Sequence, residues 1–302
     1  MNKDDIDETS APLMEHLAEL RKRLIYAVLA FVLAMVICFT FGSQILDFLL
    51  TPIEKTMRAL GNENPIMQYT APQEYFFTLI RISMVGGLVL GFPVIAYQLW
   101  RFVAPGLYRS EKGAFLPFII ASPALFLLGA AFAHYIVVPL AMAFFLGFAD
   151  VPSMLAAITG GTDPNIPAVA PVTESGIDIV FYGKVNESLD ITLKMIVAFG
   201  LCFQLPVLLT LMGKAGLVSA AGLATTRKYA AVAILVLAAV VTPPDVVTQV
   251  ILFTVVYGLY EVSILLVRLV EKQRNERLRA EGYFDDEDAD EGEAKPETKA
   301  GE

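Results

Sequence analysis

The stretch YQLWRFVAPGLYRSEKGAFLPF, residues Tyr97–Phe118, is a short polar break between two long apolar runs. Pro105 and Gly106 end any helix that enters from the preceding run, because proline cannot donate a backbone hydrogen bond and disfavours helix in the residue before it. Ser110 can cap the helix that follows, and Glu111 then lies in the first turn of that helix. We therefore predict that two antiparallel membrane helices are joined here by a loop on one side of a bilayer.

The composition places the chain among membrane proteins. Of its 302 residues 56% are hydrophobic, and several apolar runs reach the roughly 20 residues that a helix needs to span a bilayer. Much of the net charge of -9 comes from residues 280–302, so this charge says little about a ligand. Cys38 and Cys202 lie in apolar runs and are interpreted as small hydrophobic residues. No metal-ligand cluster is visible in the sequence, and we expect no cofactor.

Six apolar runs are predicted to cross the membrane. They cover residues 24–42, 75–99, 114–148, 189–212, 229–241 and 246–267. The third run would reach about 50 Å as a helix against about 30 Å of hydrocarbon, so we expect kinks at Pro117, Pro123 and Pro139. The fifth run would reach only about 20 Å, which is less than a normal bilayer. We therefore expect an all-α membrane protein with short fifth and sixth helices and a concave shape.

The lysines and arginines are concentrated on one side of this topology. The two termini and the loops at 100–115 and 213–228 share that side and hold 17 of the 22 basic residues. Because basic loops stay in the cytoplasm, both termini are predicted to be cytoplasmic. The chain opens with acidic rather than basic residues, so we expect the first apolar run to stay as a membrane helix. Residues 1–270 then form the membrane domain, and residues 271–302 form a charged tail that is expected to be disordered.

Four motifs along the chain carry a family resemblance. They are HLAELRKRL at His16–Leu24, FVAPGLYRSE at Phe102–Glu111, FGLCFQLPVLL at Phe199–Leu209, and TPPD at Thr242–Asp245 with Gln249 nearby. In this combination the chain resembles the TatC family, the receptor subunits of the twin-arginine protein translocase, over residues 12–270.

The resemblance implies a function that involves no covalent chemistry. A protein of this family binds twin-arginine signal peptides of folded proteins on the cytoplasmic face of the bacterial inner membrane. It then gathers the single-span partners TatA and TatB, and the proton-motive force drives export. The implied partners are TatA, TatB, the precursor proteins, the lipid bilayer and further copies of the receptor, with no nucleic acid.

The resemblance also implies a signal-peptide site. Its residues are Glu19, Arg21, Arg23, Phe102, Pro105, Leu107, Tyr108 and Glu111. Carboxylates suit this role because they accept charge-assisted, sometimes bidentate, hydrogen bonds from guanidinium groups. Simpler roles stay open, since Glu111 can complement a helix dipole and Glu19 can pair with Arg23 at i,i+4 spacing. The aromatic residues can be interfacial anchors, and the two arginines can serve the positive-inside rule.

Gln204 is a polar side chain inside the fourth span. An amide at this depth is costly unless it is partnered, and Pro206 cannot donate to the carbonyl of Cys202. The family commonly has a glutamate at this position, so a mechanism that protonates this side chain is not expected here. Two interpretations stay open: a contact with the TatA helix, and an interhelical hydrogen bond within the subunit.

The outer end of the last hairpin carries a second polar group. Its residues are Thr242, Pro243, Pro244, Asp245, Thr248 and Gln249. The resemblance implies that TatB or TatA helices dock here along the last two spans. The alternative is turn chemistry, because a Pro-Pro-Asp sequence forms a rigid corner whatever its function.

Three other functions were compared with the sequence. A secondary transporter of a small solute predicts paired broken helices in two repeated halves, and no convincing repeat is visible. An intramembrane enzyme needs a catalytic constellation, whereas the spans offer mainly the isolated Gln204 and His134, of which His134 is expected to be structural. A purely structural scaffold would leave the cytoplasmic acids without a purpose.

Overall fold

The protein is almost entirely helical in the computed structural model, which describes residues 3–59, 64–103, 116–147, 183–242 and 245–280. In chain order the elements are α1 (Lys3–Thr40), α2 (Gly42–Ala59), β1 (Met67–Gln68), α3 (Glu74–Val103), α4 (Leu116–Phe132), a π-helical segment (Ala133–Val137), α5 (Val138–Gly147), β2 (Gly183–Lys184), α6 (Val185–Cys202), α7 (Leu205–Lys214), α8 (Ala220–Thr225), α9 (Arg227–Val241) and α10 (Val246–Ala280). The two short strands pair in parallel, with Met67 opposite Gly183.

Within the described residues, five helical stretches are long and apolar enough to cross a membrane. They are Leu17–Thr40, Glu74–Phe102, Pro117–Leu146, Val185–Lys214 and Val246–Glu276. These stretches correspond to five of the six predicted spans. The other predicted span forms α9, whose 15 residues extend about 22 Å at 1.5 Å per residue. It is therefore shorter than the hydrocarbon core, as its sequence indicated.

The prediction of a short sixth helix is wrong, because α10 has 35 residues. The apolar run ends at Val267, but the glutamate, lysine and arginine residues that follow are good helix formers, and neither proline nor an interior break stops the helix. The helix therefore extends to Ala280, ten residues into the segment that the sequence assigned to the charged tail. Residues 281–302 lie outside the described part of the chain.

The third span contains a change of helix type next to a proline. In the π-helical segment the N–H of Val138 donates to the carbonyl of Ala133, five residues earlier. Pro139 follows directly; it has no N–H to donate, and in an α-helix its ring would clash with the carbonyl four residues earlier. The wider π turn relieves that conflict, as π-bulges inside α-helices do. Pro117 lies in the first turn of α4, where a proline is tolerated.

Helices α1 and α3 pack closely and run antiparallel. A Cβ on Gly87 would lie 2.8 Å from the Cα of Met35, and a Cβ on Gly91 would lie 3.5 Å from the Cα of Phe31. The contact thus moves four residues forward along α3 while it moves four residues back along α1. Glycines at a membrane helix interface allow this because they remove the side chains that would hold the backbones apart.

The main buried core is built around α6. Leu189 and Phe199 of α6 are fully buried together with Val137 of the π-helical segment and Leu252 of α10. A smaller cluster lies between α3, α4 and α7 and consists of Phe92, Ala96, Trp100, Phe126, Val207 and Leu211.

Candidate functional site

Glu19 and Arg23 form an ion pair on one face of α1. The Nε of Arg23 donates to Oε1 of Glu19 at 3.0 Å, and Nη2 of Arg23 contacts the same oxygen. The side chain of Glu19 is 36% exposed and that of Arg23 is 15% exposed. The i,i+4 pairing anticipated from the sequence is confirmed. A carboxylate has several lone-pair sites, so Glu19 can also accept a hydrogen bond from an external guanidinium group.

The packing of α1 against α3 places this ion pair level with the end of α3, after which the central loop begins in the sequence. Gly91 of α3 lies opposite Phe31 of α1. Because the helices are antiparallel, twelve residues forward along α3 correspond to twelve residues back along α1, so Glu19 is level with the last turn of α3. That turn contains Phe102, which is half-buried, and Arg101, which is exposed and donates to the hydroxyl of Tyr97 at 3.0 Å.

The described part of the predicted signal-peptide site therefore lies at one end of this helix pair. It consists of Glu19, Arg21, Arg23 and Phe102, and Arg21 is exposed on α1. The other predicted residues, Pro105, Leu107, Tyr108 and Glu111, lie outside the described residues. The register nevertheless brings α1 to the point where their loop begins.

Gln204 lies in the turn between α6 and α7, and its side chain contacts α4. The hydroxyl of Ser122 donates to Oε1 of Gln204 at 2.6 Å, and Nε2 of Gln204 donates to the carbonyl of Ser122 at 2.9 Å. This is the interhelical hydrogen bond that was one of the two interpretations. The half-buried amide keeps one further N–H and one further lone pair. Pro206 is buried in the first turn of α7, where its missing N–H is not needed.

Asp245 caps the N-terminus of α10. Its carboxylate accepts the backbone N–H of Thr248 at 2.6 Å and also accepts the hydroxyl of Thr248. Asp245 is only 3% exposed, and Thr248 is fully buried. Thr242 follows the last residue of α9, and its hydroxyl donates to the carbonyl of Ala238 at 2.9 Å.

The outer polar group is thus largely turned inward. Its contacts are those of turn and cap chemistry, the alternative given by the sequence, while Gln249 is half-buried. Pro243 and Pro244 lie outside the described residues.

Three contacts farther along α10, between Tyr260 and Glu271, were not predicted from the sequence. Arg227 of α9 pairs with Glu261 at 2.8 Å, and the hydroxyl of Tyr260 donates to the carbonyl of Leu223 at 2.8 Å. Glu271 accepts the backbone N–H of Ala220 at 3.0 Å, at the start of α8. Together they fasten the connection between α7 and α9 to α10. An acid near the end of an apolar run was the only signal for them in the sequence.

His134 is buried in the π-helical segment. Its ring stacks on Phe48 of α2 with a centroid distance of 4.3 Å, and it is 3% exposed. Its Nδ1 has no hydrogen-bond partner among the described residues. The stacked, enclosed ring joins α2 to the third span.

The arrangement of motifs and helices matches a known family. The sequence model of the family described as "Sec-independent protein translocase protein (TatC)" matches residues 15–254. The chain belongs to the TatC family. A TatC from Magnetococcus marinus is 40% identical over 295 residues, which is 95% of this chain and 98% of the relative. A TatC from Aquifex aeolicus is 37% identical over 89% of this chain and 100% of the relative.

Solved TatC structures resemble this fold as well. The "Crystal Structure of Twin Arginine Translocase Receptor- TatC" is 36% identical, with a TM-score of 0.67, and the match covers 85% of this chain and 99% of that chain. The same receptor in DDM matches with a TM-score of 0.65 at 36% identity, over 83% of this chain and 98% of that chain. This TatC-family protein is therefore a component of a membrane protein translocase and not an enzyme.

Proposed function

We propose that this TatC-family protein is the receptor subunit that binds twin-arginine signal peptides on the cytoplasmic face of the bacterial inner membrane. The observation that carries the proposal is the position of Glu19, a partly exposed carboxylate held beside the start of the central loop by the α1–α3 packing. That loop carries Glu111 in the motif FVAPGLYRSE. The name of the similar solved structure, a twin arginine translocase receptor, supports the same function.

The recognition step needs two acids for two adjacent arginines. Glu19 provides one acid and Glu111 provides the other, while Phe102, Leu107 and Tyr108 offer apolar surface to the residues that flank the arginines. An incoming guanidinium group competes with Arg23 for Glu19, so the exchange replaces one charge-assisted pair with another. A lysine cannot form the bidentate fork of an arginine, which accounts for selectivity.

The proposed topology has six spans with both termini in the cytoplasm. The distribution of basic residues supports this orientation, and α9 supplies the fifth of the six crossings. A helix of about 22 Å can cross only where the bilayer thins or where neighbouring helices shield its ends. Because α9 is shorter than the other spans, the protein would be concave. Residues 1–270 would then form the membrane domain, and residues 271–302 would form the cytoplasmic tail.

The proposed partners are TatA, TatB and further copies of the receptor, and the proton-motive force supplies the energy. On α9 a stripe of exposed valines, Val232, Val236 and Val240, recurs at i,i+4 spacing and can receive a partner helix. Gln249 lies near the same outer corner. The remaining N–H and lone pair of Gln204 can serve a polar residue of TatA without breaking the contact with Ser122.

An export assay tests the proposal. Cells that lack their own TatC would express this protein with TatA and TatB from the same genome and a folded reporter with a twin-arginine signal. We expect export that stops on addition of an uncoupler and falls about tenfold or more in Glu19→Gln, because a charged pair is lost.

The matched control is Glu54→Gln. Glu54 forms an i,i+4 ion pair with Arg58 on α2, at the other end of the membrane region, so this change removes the same chemistry elsewhere. Export that is insensitive to Glu19→Gln, or equally sensitive to Glu54→Gln, would contradict the proposed role of Glu19.

A further inference from the structure

A charged cluster joins α3 to α6 at the membrane side opposite to Glu19. Nη1 of Arg81 donates to Oδ1 of Asn186 at 2.9 Å and lies 3.8 Å from Oδ1 of Asp190. Nζ of Lys194 lies 2.6 Å from Oδ2 of the same carboxylate. Arg81 is 50% exposed and Lys194 is 65% exposed. Two exposed cations thus share one acid, which leaves this part of the cluster with a net positive charge.

The cluster lies close to the boundary between hydrocarbon and headgroups. The spans Glu74–Phe102 and Val185–Lys214 have 29 and 30 residues. At 1.5 Å per residue each exceeds the roughly 30 Å of hydrocarbon, so each end extends about 7 Å beyond it. Arg81 and Lys194 begin only a few ångströms inside this boundary. Helical side chains lean toward the helix N-terminus, which for α3 and α6 is the outer end, so both cations can reach the headgroup layer.

A cavity of about 300 Å³ adjoins the cluster on its outer side. Arg81, Lys184 and Glu187 line it, together with Glu74 and residues of the turn that precedes α3. Glu74 accepts hydrogen bonds from the backbone N–H groups of Thr70 and Ala71, so its carboxylate already serves the fold. Glu187 is exposed and, in the first turn of α6, lies farther out than Asp190 and Lys194.

The charges are therefore separated by depth. Arg81 and Lys194 outnumber Asp190 in the deeper part, which has a net positive charge. Glu74 and Glu187 outnumber Lys184 in the shallower part, which has a net negative charge. We propose that this site binds the headgroup of a zwitterionic phospholipid, with the phosphate against Arg81 and Lys194 and the ammonium group toward Glu187. In such a lipid the phosphate is nearer the acyl chains than the ammonium group, which is the order of charges in the site.

The chemistry of the groups fits this ligand. A guanidinium group has five N–H donors in a fork that matches phosphate oxygens, and Arg81 uses one of them on Asn186. Met84, three residues deeper on α3 than Arg81, is 48% exposed and offers apolar surface to the acyl chains. A soluble phosphate would gain nothing from this side chain. An acidic protein segment would be repelled by Glu187.

Native mass spectrometry of the full chain, delipidated in detergent, tests the proposal. Phosphatidylethanolamine, phosphatidylcholine and phosphatidylglycerol would be titrated separately, and inorganic phosphate would be added as a competitor. We expect the zwitterionic lipids to bind, the double variant Arg81→Gln/Lys194→Gln to weaken their binding about tenfold, and phosphate not to compete. Glu187→Gln should reduce the preference for zwitterionic lipids over phosphatidylglycerol.

Two further variants keep the test decisive. Lys55→Gln removes an exposed cation of α2 outside the cluster and should leave lipid binding unchanged. Arg81→Lys/Lys194→Arg preserves the charge and should retain most of the binding, so a loss in the glutamine variant is not mere unfolding. Equal lipid binding by the glutamine variant and the parent would overturn the proposal. Competition by inorganic phosphate, or membrane crosslinks from position 186 to a protein rather than to lipid, would also overturn it.

Discussion

Ser122 and Gln204 exchange two hydrogen bonds, at 2.6 Å and 2.9 Å, between α4 and the turn that joins α6 to α7. The contact satisfies an amide that would be costly inside a span. It also fastens α4 to the point where Pro206 interrupts the fourth span. The polar position of the family motif thus has a structural role within the subunit, and any contact with a partner must use the remaining capacity of the amide.

A double-mutant cycle measures this contact. We expect Ser122→Ala to lower the free energy of unfolding by about 0.5–1.5 kcal/mol, because Gln204 loses a donor. With Gln204→Met as the second change, the coupling energy should be about 0.6 kcal/mol and at most about 1.7 kcal/mol, as for other hydrogen bonds between membrane helices. Equilibrium unfolding in mixed micelles provides the readout.

Ser83→Ala is the matched control for this cycle. Ser83 is also buried, but its hydroxyl donates only to the carbonyl of Leu79 in its own helix. A coupling energy of zero between positions 122 and 204 would show that the pair contributes nothing to stability.

Gly129 lies in a tight helix contact, whereas Gly258 faces open space. A Cβ on Gly129 would lie 2.5 Å from the carbonyl oxygen of Phe199, which is backbone and cannot rotate away. We therefore expect Gly129→Ala to destabilise the protein by about 1–3 kcal/mol through overpacking. Gly258 has nothing within 4 Å of its added Cβ, so Gly258→Ala should be neutral or stabilising by up to about 1 kcal/mol. Thermal unfolding in detergent compares them, and equal effects would refute the described α4–α6 contact.

The cap at Asp245 predicts how its variants differ. Asp245→Ala removes the acceptor for both donors of Thr248 and should cost about 1 kcal/mol of stability. Asp245→Asn keeps a side-chain oxygen and should retain most of that stability. Protease sensitivity of the outer corner between α9 and α10, with thermal unfolding, provides the measurement. An asparagine variant that is stable but fails to recruit TatB would show that the negative charge of Asp245 is needed for binding the partner. An alanine variant as stable as the parent would show that the cap does not contribute to stability.

Glu19 should matter for binding more than for stability. A partly exposed i,i+4 ion pair contributes only about 0.3–0.5 kcal/mol, so Glu19→Gln should leave the unfolding midpoint nearly unchanged. The same variant should weaken binding of a twin-arginine signal peptide about tenfold or more, because a charge-assisted hydrogen bond is lost. Fluorescence anisotropy with a labelled signal peptide measures the affinity. A large drop in stability with unchanged affinity would assign Glu19 a structural role.

Much of the helical layout could be predicted because the relevant signal lies within each segment. A spanning helix needs about 20 apolar residues, and this requirement located the five long spans. The ion pair of Glu19 with Arg23 followed from their spacing on one helix. The length of α10 was underestimated because apolar character ends at Val267, whereas helix formation depends on propensity and continues to Ala280.

The tertiary contacts could not be predicted in this way. Ser122 is 82 residues away from Gln204 in sequence, and no local spacing connects them. The cluster of Arg81 with Asp190 similarly depends on which helices become neighbours. The π-helical segment depends on how the backbone accommodates Pro139, for which several solutions were open.

The most direct test of the receptor function is site-specific photo-crosslinking in membranes from Leu20, an exposed residue next to Glu19, and from Tyr108 in the central loop. Replacement of Leu20 leaves both acids in place. The account predicts crosslinks to a precursor with an Arg-Arg signal that fade with a Lys-Lys signal and in Glu19→Gln, and none from Lys55 on α2. Equal crosslinking with both signals, or none with the protein folded and inserted, would contradict it.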